Sequence, residues 1–185
     1  MSRENALMRN RPRIYLAGPD VFFPDSGQIF AGLKATCDGL GLIGVEPSDG
    51  GLGREFAGSD EERAQRIYEG NVRLIRECDG MVANLMNFRG HEPDSGTVFE
   101  VGYAVALGKP VVAYGVAEGS YADRVRRTID CARDDAGMLR ERMSGVMVEG
   151  LGQRLNLMLT RSAAIAPSAA AALARLARDL GAQAT

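Results

Sequence analysis

The sequence predicts an α/β fold: a doubly wound, five-stranded parallel sheet with helices on both faces, three layers in all. Two patterns carry this. Short apolar runs alternate along the chain with stretches whose apolar residues recur at helical spacing. The runs are continuous rather than alternating, as strands covered on both faces require, and several end in Gly-Pro or other loop-forming pairs. The 185 residues, 45% of them hydrophobic and 25% charged, suit a single domain over 1–185 with a sizeable core.

Residues 1–12 read as a loose polar lead. "RIYLAG" (13–18) is the first strand, closed by Gly-Pro. "SGQIFAGLKATCDGLG" (26–41) places Ile29, Leu33, Thr36, Cys37 and Leu40 on one helical face and ends in glycine. "LIGVEP" (42–47) is strand two, and the glycine-rich 48–58 is a loop. The helix over 59–80 opens with a serine N-cap and acids in its first turn. Its apolar stripe runs through Ala64, Ile67, Leu74, Ile75 and Cys78. "MVANLM" (81–86) is strand three, 87–95 a loop, 96–108 a helix and "PVVAYGV" (110–116) strand four. A helix over 121–133, a fifth strand at "GVMVEG" (145–150) and a proline-started helix over 167–181 complete the set.

Composition excludes several classes. A net charge of -2 and a pI near 5.5 give no basic surface for nucleic acid. Arg124, Arg126 and Arg127 are diluted by neighbouring aspartates and read as a solvated helix face. Three widely spaced cysteines and one histidine offer no zinc pattern. The cysteines read as reduced and mostly buried, in a cytoplasmic protein. The N-terminal stretch has no apolar core of a secretory signal, and no apolar run is long enough to span a bilayer.

A parallel sheet binds ligands beyond the carboxyl ends of its strands. Three stretches converge there: "GPDVFFPD" after strand one, "GHEPDSG" after strand three, and the start of the helix carrying Glu100. Glu100 lies in an apolar helix, six residues after Asp94, with small neighbours at Gly96 and Ala104 that would let a ligand approach. The nearby helix N-terminus should keep it ionised and able to act as a nucleophile; an ordinary salt bridge is the other reading. Asn71 interrupts its apolar stripe, and a buried amide needs partners. It either holds a neighbouring loop or reads the edge of a nucleobase. Tyr15 is either core or a hydroxyl that orients a carboxylate. Asn156 either caps a turn or belongs to a site. Gly18, Phe22 and Gly96 complete the candidate substrate contacts. No GxGxxG, Walker or GxSxG motif occurs.

"IYLAGPDVF", "CDGMVANL", "FRGHEPDSGTVFEVGYA" and "LNLML", in that order over roughly residues 13–160, together resemble the nucleoside 2-deoxyribosyltransferase family, and "FRGHEPD" and Asn71 resemble its trypanosomatid branch. The resemblance implies a flavodoxin-like, Rossmann-like sheet. It implies cleavage of the N-glycosidic bond of a 2′-deoxynucleoside and transfer of the deoxyribosyl group to another base, without metal or organic cofactor. The family pattern D-x-G-x-x-x-E falls on Asp94, Gly96 and Glu100, so Glu100 would be the nucleophile. Tyr15 would hydrogen-bond it and Asp94 would bind the sugar 5′-hydroxyl. Asn156 and Met158 would complete the site of an adjacent subunit in a homo-oligomer. Two departures stand out. Asn71 replaces an aspartate that some members use to protonate the base, and the C-terminal tyrosine of some members is missing. A hydrolase is the alternative, acting on nucleosides or on nucleoside 5′-monophosphates; relatives of the monophosphate-hydrolysing kind carry serine in place of Asp94. A non-catalytic nucleotide-sensing module is the second.

Overall fold

Four of the expected strands form, and they lie side by side as parallel neighbours. The computed structural model describes residues 11–50 and 56–182. Residues 1–10 of the expected lead, 51–55 of the glycine-rich loop and 183–185 lie outside the described residues. The strands are β1 (Arg13–Ala17), β2 (Ile43–Val45), β3 (Gly80–Asn84), β4 (Val111–Tyr114), β5 (Cys131–Arg133), β6 (Leu139–Glu141) and β7 (Ala164–Ile165). The helices are α1 (Ser26–Gly39), α2 (Asp60–Glu77), α3 (Ser95–Ala106), α4 (Tyr121–Arg126), α5 (Leu157–Ser162) and α6 (Ala169–Asp179). The main sheet has the order β2-β1-β3-β4-β7 with every pair parallel. Strand order reverses between β1 and β3, which is where a doubly wound sheet opens a crevice.

Side chains alternate across the sheet and build two cores. Tyr15, Ala17, Met81, Ala83, Val111 and Ala113 pack with Leu74, Ile75, Val101, Ala104, Leu155 and Leu159, so α2, α3 and α5 cover one face. Ile14, Leu16, Val82 and Val112 pack with Phe30, Cys37, Leu173 and Leu176, so α1 and α6 cover the other. The period of two along β1 therefore sends Tyr15 toward α3 and its neighbours Ile14 and Leu16 toward α1 and α6. Gly80 is needed where β3 starts, because a Cβ there would lie 3.2 Å from both Leu176 methyls and the Pro110 carbonyl.

The serine start of α2 forms a full capping box. Ser59 Oγ accepts from Glu62 N at 3.2 Å, and Glu62 Oε2 accepts from Ser59 N at 2.8 Å. Only the second half of this helix is buried, however. Ala64 is exposed and Ile67 is 47% exposed, so the expected core stripe is core only from Leu74 onward.

Three expectations fail in the C-terminal third. The 121–133 helix stops at Arg126; Cys131–Arg133 instead pairs antiparallel with Leu139–Glu141 around an Asp134–Gly137 turn. Within the supposed solvated arginine face, Arg124 is buried and donates to the carbonyls of Gly119 and Arg154. "GVMVEG" does not join the main sheet: it makes a single antiparallel bridge, Arg140 to Met147, and leaves Val146 and Met147 exposed. The fifth parallel strand is the two-residue β7, beside β4. Cys37 and Cys78 are buried, Cys131 half-buried, and all three are free thiols.

Candidate active site

Glu100 projects from the second turn of α3 toward the face of β1. The Tyr15 hydroxyl donates to Glu100 Oε1 at 2.7 Å. Asn71 Nδ2 donates to the same oxygen at 3.2 Å. Three elements far apart in sequence thus converge on one carboxylate: β1, α2 and α3. The Asn71 amide thus spends one donor on the Glu100 carboxylate, a partner the sequence did not suggest.

Burial governs the electrostatics. The Glu100 carboxyl is pushed up to about 7, chiefly by loss of solvent and further by the nearby Asp94 charge. The hydrogen bonds from Tyr15 and Asn71 oppose the rise. The helix N-terminus therefore does not keep Glu100 fully ionised at neutral pH, as the sequence suggested: desolvation outweighs it. Tyr15, itself fully buried, is raised by burial first and by Glu100 second. It keeps its proton and acts as a donor.

Asp94 is the N-cap of α3. Its Oδ2 accepts from Thr97 N at 2.9 Å and from Thr97 Oγ1 at 3.0 Å. The helix consequently begins at Ser95, and Asp94 Oδ1 has no hydrogen bond among the described residues. Gly96 is exposed, and an added Cβ would meet only Asp94 Oδ2, at 3.2 Å, so this side is open. Ala104 is not: it is fully buried in the core and offers a ligand no approach.

At the end of β1, Gly18 has a tight role. A Cβ there would lie 2.3 Å from Asp20 Oδ2 and 2.8 Å from Asn84 Cβ. Sequence reading missed the pair it accommodates. Asn84 Nδ2 donates to both Asp20 oxygens at 3.1 Å, and both residues are buried. Burial raises the Asp20 carboxyl, with the Asn84 bond opposing. The signal was available: Asn84 is the one polar residue in "MVANLM". The pair ties the Gly-Pro turn to the end of β3. Just beyond it, Phe22, 59% exposed, stacks on Phe88 with centroids 5.5 Å apart.

Asn156 and Met158 share no hydrogen bond with Tyr15, Asn71, Asp94 or Glu100 among the described residues. Asn156 caps α5, accepting from Met158 N and donating to Glu149 Oε2, both at 2.9 Å. Met158 is 70% exposed on a helix that covers α3. Exposed Tyr68 and Phe99 lie with Tyr103 in a ladder of rings 6.2 Å apart. Among the described residues no group of His, Cys, Asp and Glu is placed to hold a metal ion. Nor is any helix there long and apolar enough to cross a membrane.

Comparison with known proteins identifies the family and the fold. A family model described as nucleoside 2-deoxyribosyltransferase matches residues 14–158, which span Tyr15, Asn71, Asp94 and Glu100. The solved 2-desoxiribosyltransferase from Leishmania mexicana superposes with a TM-score of 0.68 at 30% identity, covering 90% of this chain and 97% of that one. A conserved protein from Enterococcus faecalis V583, at 19% identity and a TM-score of 0.58, covers 91% of this chain and 99% of its own, and shares the fold. An uncharacterized Schizosaccharomyces pombe protein is 37% identical over 116 residues, 62% of this chain. The matched region is 55% of that relative, so the chain spans about half the length of the curated protein it matches.

Proposed function

The chain belongs to the nucleoside 2-deoxyribosyltransferase family, and from that premise we propose that it cleaves the N-glycosidic bond of a 2′-deoxynucleoside and passes the sugar to a second nucleobase. The observation that carries this reading is the Tyr15–Glu100 contact, 2.7 Å between residues 85 apart in sequence. Glu100 attacks C1′ as the C–N bond opens through an oxocarbenium-like state, in the manner of a retaining glycosidase. The bond's electron pair leaves on the base nitrogen, which takes a proton from water. A deoxyribosyl ester of Glu100 forms. The nitrogen of an incoming base then attacks C1′ from the vacated face, restores the carboxylate and gives up its own proton. The missing 2′-hydroxyl removes an electron-withdrawing group from beside C1′ and makes the cation easier to reach. Exclusion of water from the ester separates transfer from hydrolysis.

Asp94 binds the 5′-hydroxyl through Oδ1, the oxygen its capping role leaves over. A carboxylate there accepts from a neutral hydroxyl and repels a phosphate, by about 4 kcal/mol for a unit pair at about 4 Å and intermediate dielectric. Asp94→Ser should relax this selection while still capping α3, since serine is an equally good N-cap. The measurement is kcat/KM for a deoxynucleoside against its 5′-monophosphate. A ratio unmoved by the substitution would remove Asp94 from substrate selection.

Gly18 and Phe22 line the opposite side of the crevice. Asn156 and Met158 serve the site of a neighbouring copy, in keeping with their exposure on α5. Mixing the separately inactive Asn156→Ala and Glu100→Gln proteins should then restore turnover, because hybrid assemblies contain one intact site. Mixtures as inactive as their components would place Asn156 outside any shared site.

The reading is tested by incubating the protein with 2′-deoxyinosine or thymidine, with and without excess adenine, and separating the products by chromatography. Adenine-dependent deoxyadenosine supports transfer. Free base released regardless of adenine would mean a hydrolase. Saturable binding with no turnover would mean a sensor.

A further inference from the structure

We propose that Asn71 is a positioning residue for Glu100 rather than a reader of the nucleobase, and that with Tyr15 it commits Oε1 to the protein and leaves Oε2 as the atom that attacks C1′. The inference rests on the transferase reading above and deepens it. Its geometric basis is that two donors, from β1 and from α2, meet on a single carboxylate oxygen at 2.7 and 3.2 Å. Glu100 Oε2 has no hydrogen bond among the described residues.

The turn of α2 that carries Asn71 is held on both sides. Gly70 lies so close to the chain at Gly50 that an added Cβ would sit 3.3 Å from the Gly50 carbonyl. Arg73 donates to that same carbonyl at 3.0 Å. Val72, Leu74 and Ile75 are buried immediately after. Asn71 is thus presented from a fixed backbone, which is what orienting a nucleophile requires.

The chemistry follows from one oxygen having two donors. During attack, the Oε2 lone pair forms the bond to C1′ while the C1′–N pair departs on the base. In the resulting ester Oε1 is the carbonyl oxygen and still accepts from Tyr15 and Asn71. When the second base attacks, the electrons of the C1′–Oε2 bond return to the carboxylate, and the same two donors stabilise it. The groups facing Glu100 are Tyr15 from β1, Asn71 from α2 and Asp94 from the cap of its own helix. Tyr15 and Asn71 favour the carboxylate; Asp94 disfavours it.

The test compares wild type with Asn71→Ala. Loss of a hydrogen bond to a charged group should lower kcat about 10- to 100-fold. The acid limb of the rate profile, near pH 7 in the wild type from the Glu100 value of about 7, should move to higher pH. KM for the acceptor base should change by less than about twofold. Carbon-13 NMR of glutamate-labelled protein, in which Glu100→Gln identifies the Glu100 signal, should show the same upward move without any turnover. An unmoved acid limb and NMR titration, with KM for the base raised about tenfold, would overturn the proposal and make Asn71 a base contact. A wild-type protein without glycosidic turnover would defeat the transferase reading and Oε2 as attacking atom with it. The NMR titration would then still decide whether Asn71 acts on Glu100.

Discussion

Glu100→Gln is expected to lower turnover of a deoxynucleoside by at least about 10⁴-fold, the scale on which enzymes lose activity when a nucleophile is removed. The substitution is conservative in shape. A glutamine oxygen still accepts from Tyr15 and from Asn71, at the positions now 2.7 and 3.2 Å from Glu100 Oε1. What disappears is the anion that bonds to C1′. The measurement is single-turnover release of base, with binding of the deoxynucleoside followed in parallel. Retained binding with lost release is the predicted pattern. Turnover within about tenfold of wild type would leave Glu100 as a ligand contact only.

The second large effect of the same substitution has the opposite sign. Folding buries the Glu100 carboxyl and raises it from 4.5 to about 7. The folded protein therefore holds this proton more tightly than the unfolded chain does. Stability from this group is fully present below about pH 4.5 and is lost as pH rises through about 7. At pH 8 the charged, desolvated Glu100 costs about 3 kcal/mol, taking roughly 1.4 kcal/mol per unit of raised pKa. Glu100→Gln abolishes that cost, so its unfolding free energy should exceed wild type at pH 8 and match it near pH 4. Denaturant melts at the two pH values measure this. A variant no more stable than wild type at pH 8 would mean that the carboxylate is already compensated. The site is in this sense a place where folding stability is given up for reactivity.

The main architecture was legible because its signals are local. "RIYLAG", "MVANLM" and "PVVAYGV" are continuous apolar runs, and each became a strand covered on both faces. Ser59 with Glu62 announced the start of α2. The sheet's far edge was not legible. β7 has two residues, Ala164 and Ile165, cut short by Pro167, whereas "GVMVEG" has the more strand-like composition and stays at the surface. A two-residue strand is fixed by its register on β4 rather than by its own pattern. The β5–β6 hairpin was hidden for a different reason. Its residues suit helix spacing, and only "DDAG" marks the turn, closed by Gly137 at φ 79°.

The candidate site divides the same way. Glu100 drew attention as a carboxylate in an apolar helix and Asn71 as an amide in an apolar stripe, and the structure brings both to Tyr15. Asp20 and Asn84 escaped because their meaning lies in a contact across 64 residues. The cap formed by Asp94 on Thr97 was readable from "DSGT", yet a carboxylate in a glycine-containing loop suggested a ligand before it suggested a helix start. The Glu100 ionisation was misjudged because sequence shows a helix N-terminus but not the depth of burial.

The most direct test of the account is intact-mass spectrometry of the protein mixed with a 2′-deoxynucleoside and no acceptor, quenched in acid, followed by peptide mapping. The account predicts a mass gain of one deoxyribosyl group, carried on the peptide containing Glu100, absent from Glu100→Gln and discharged when adenine is added before the quench. Turnover with no adduct, or an adduct on another residue, would contradict Glu100 as the nucleophile.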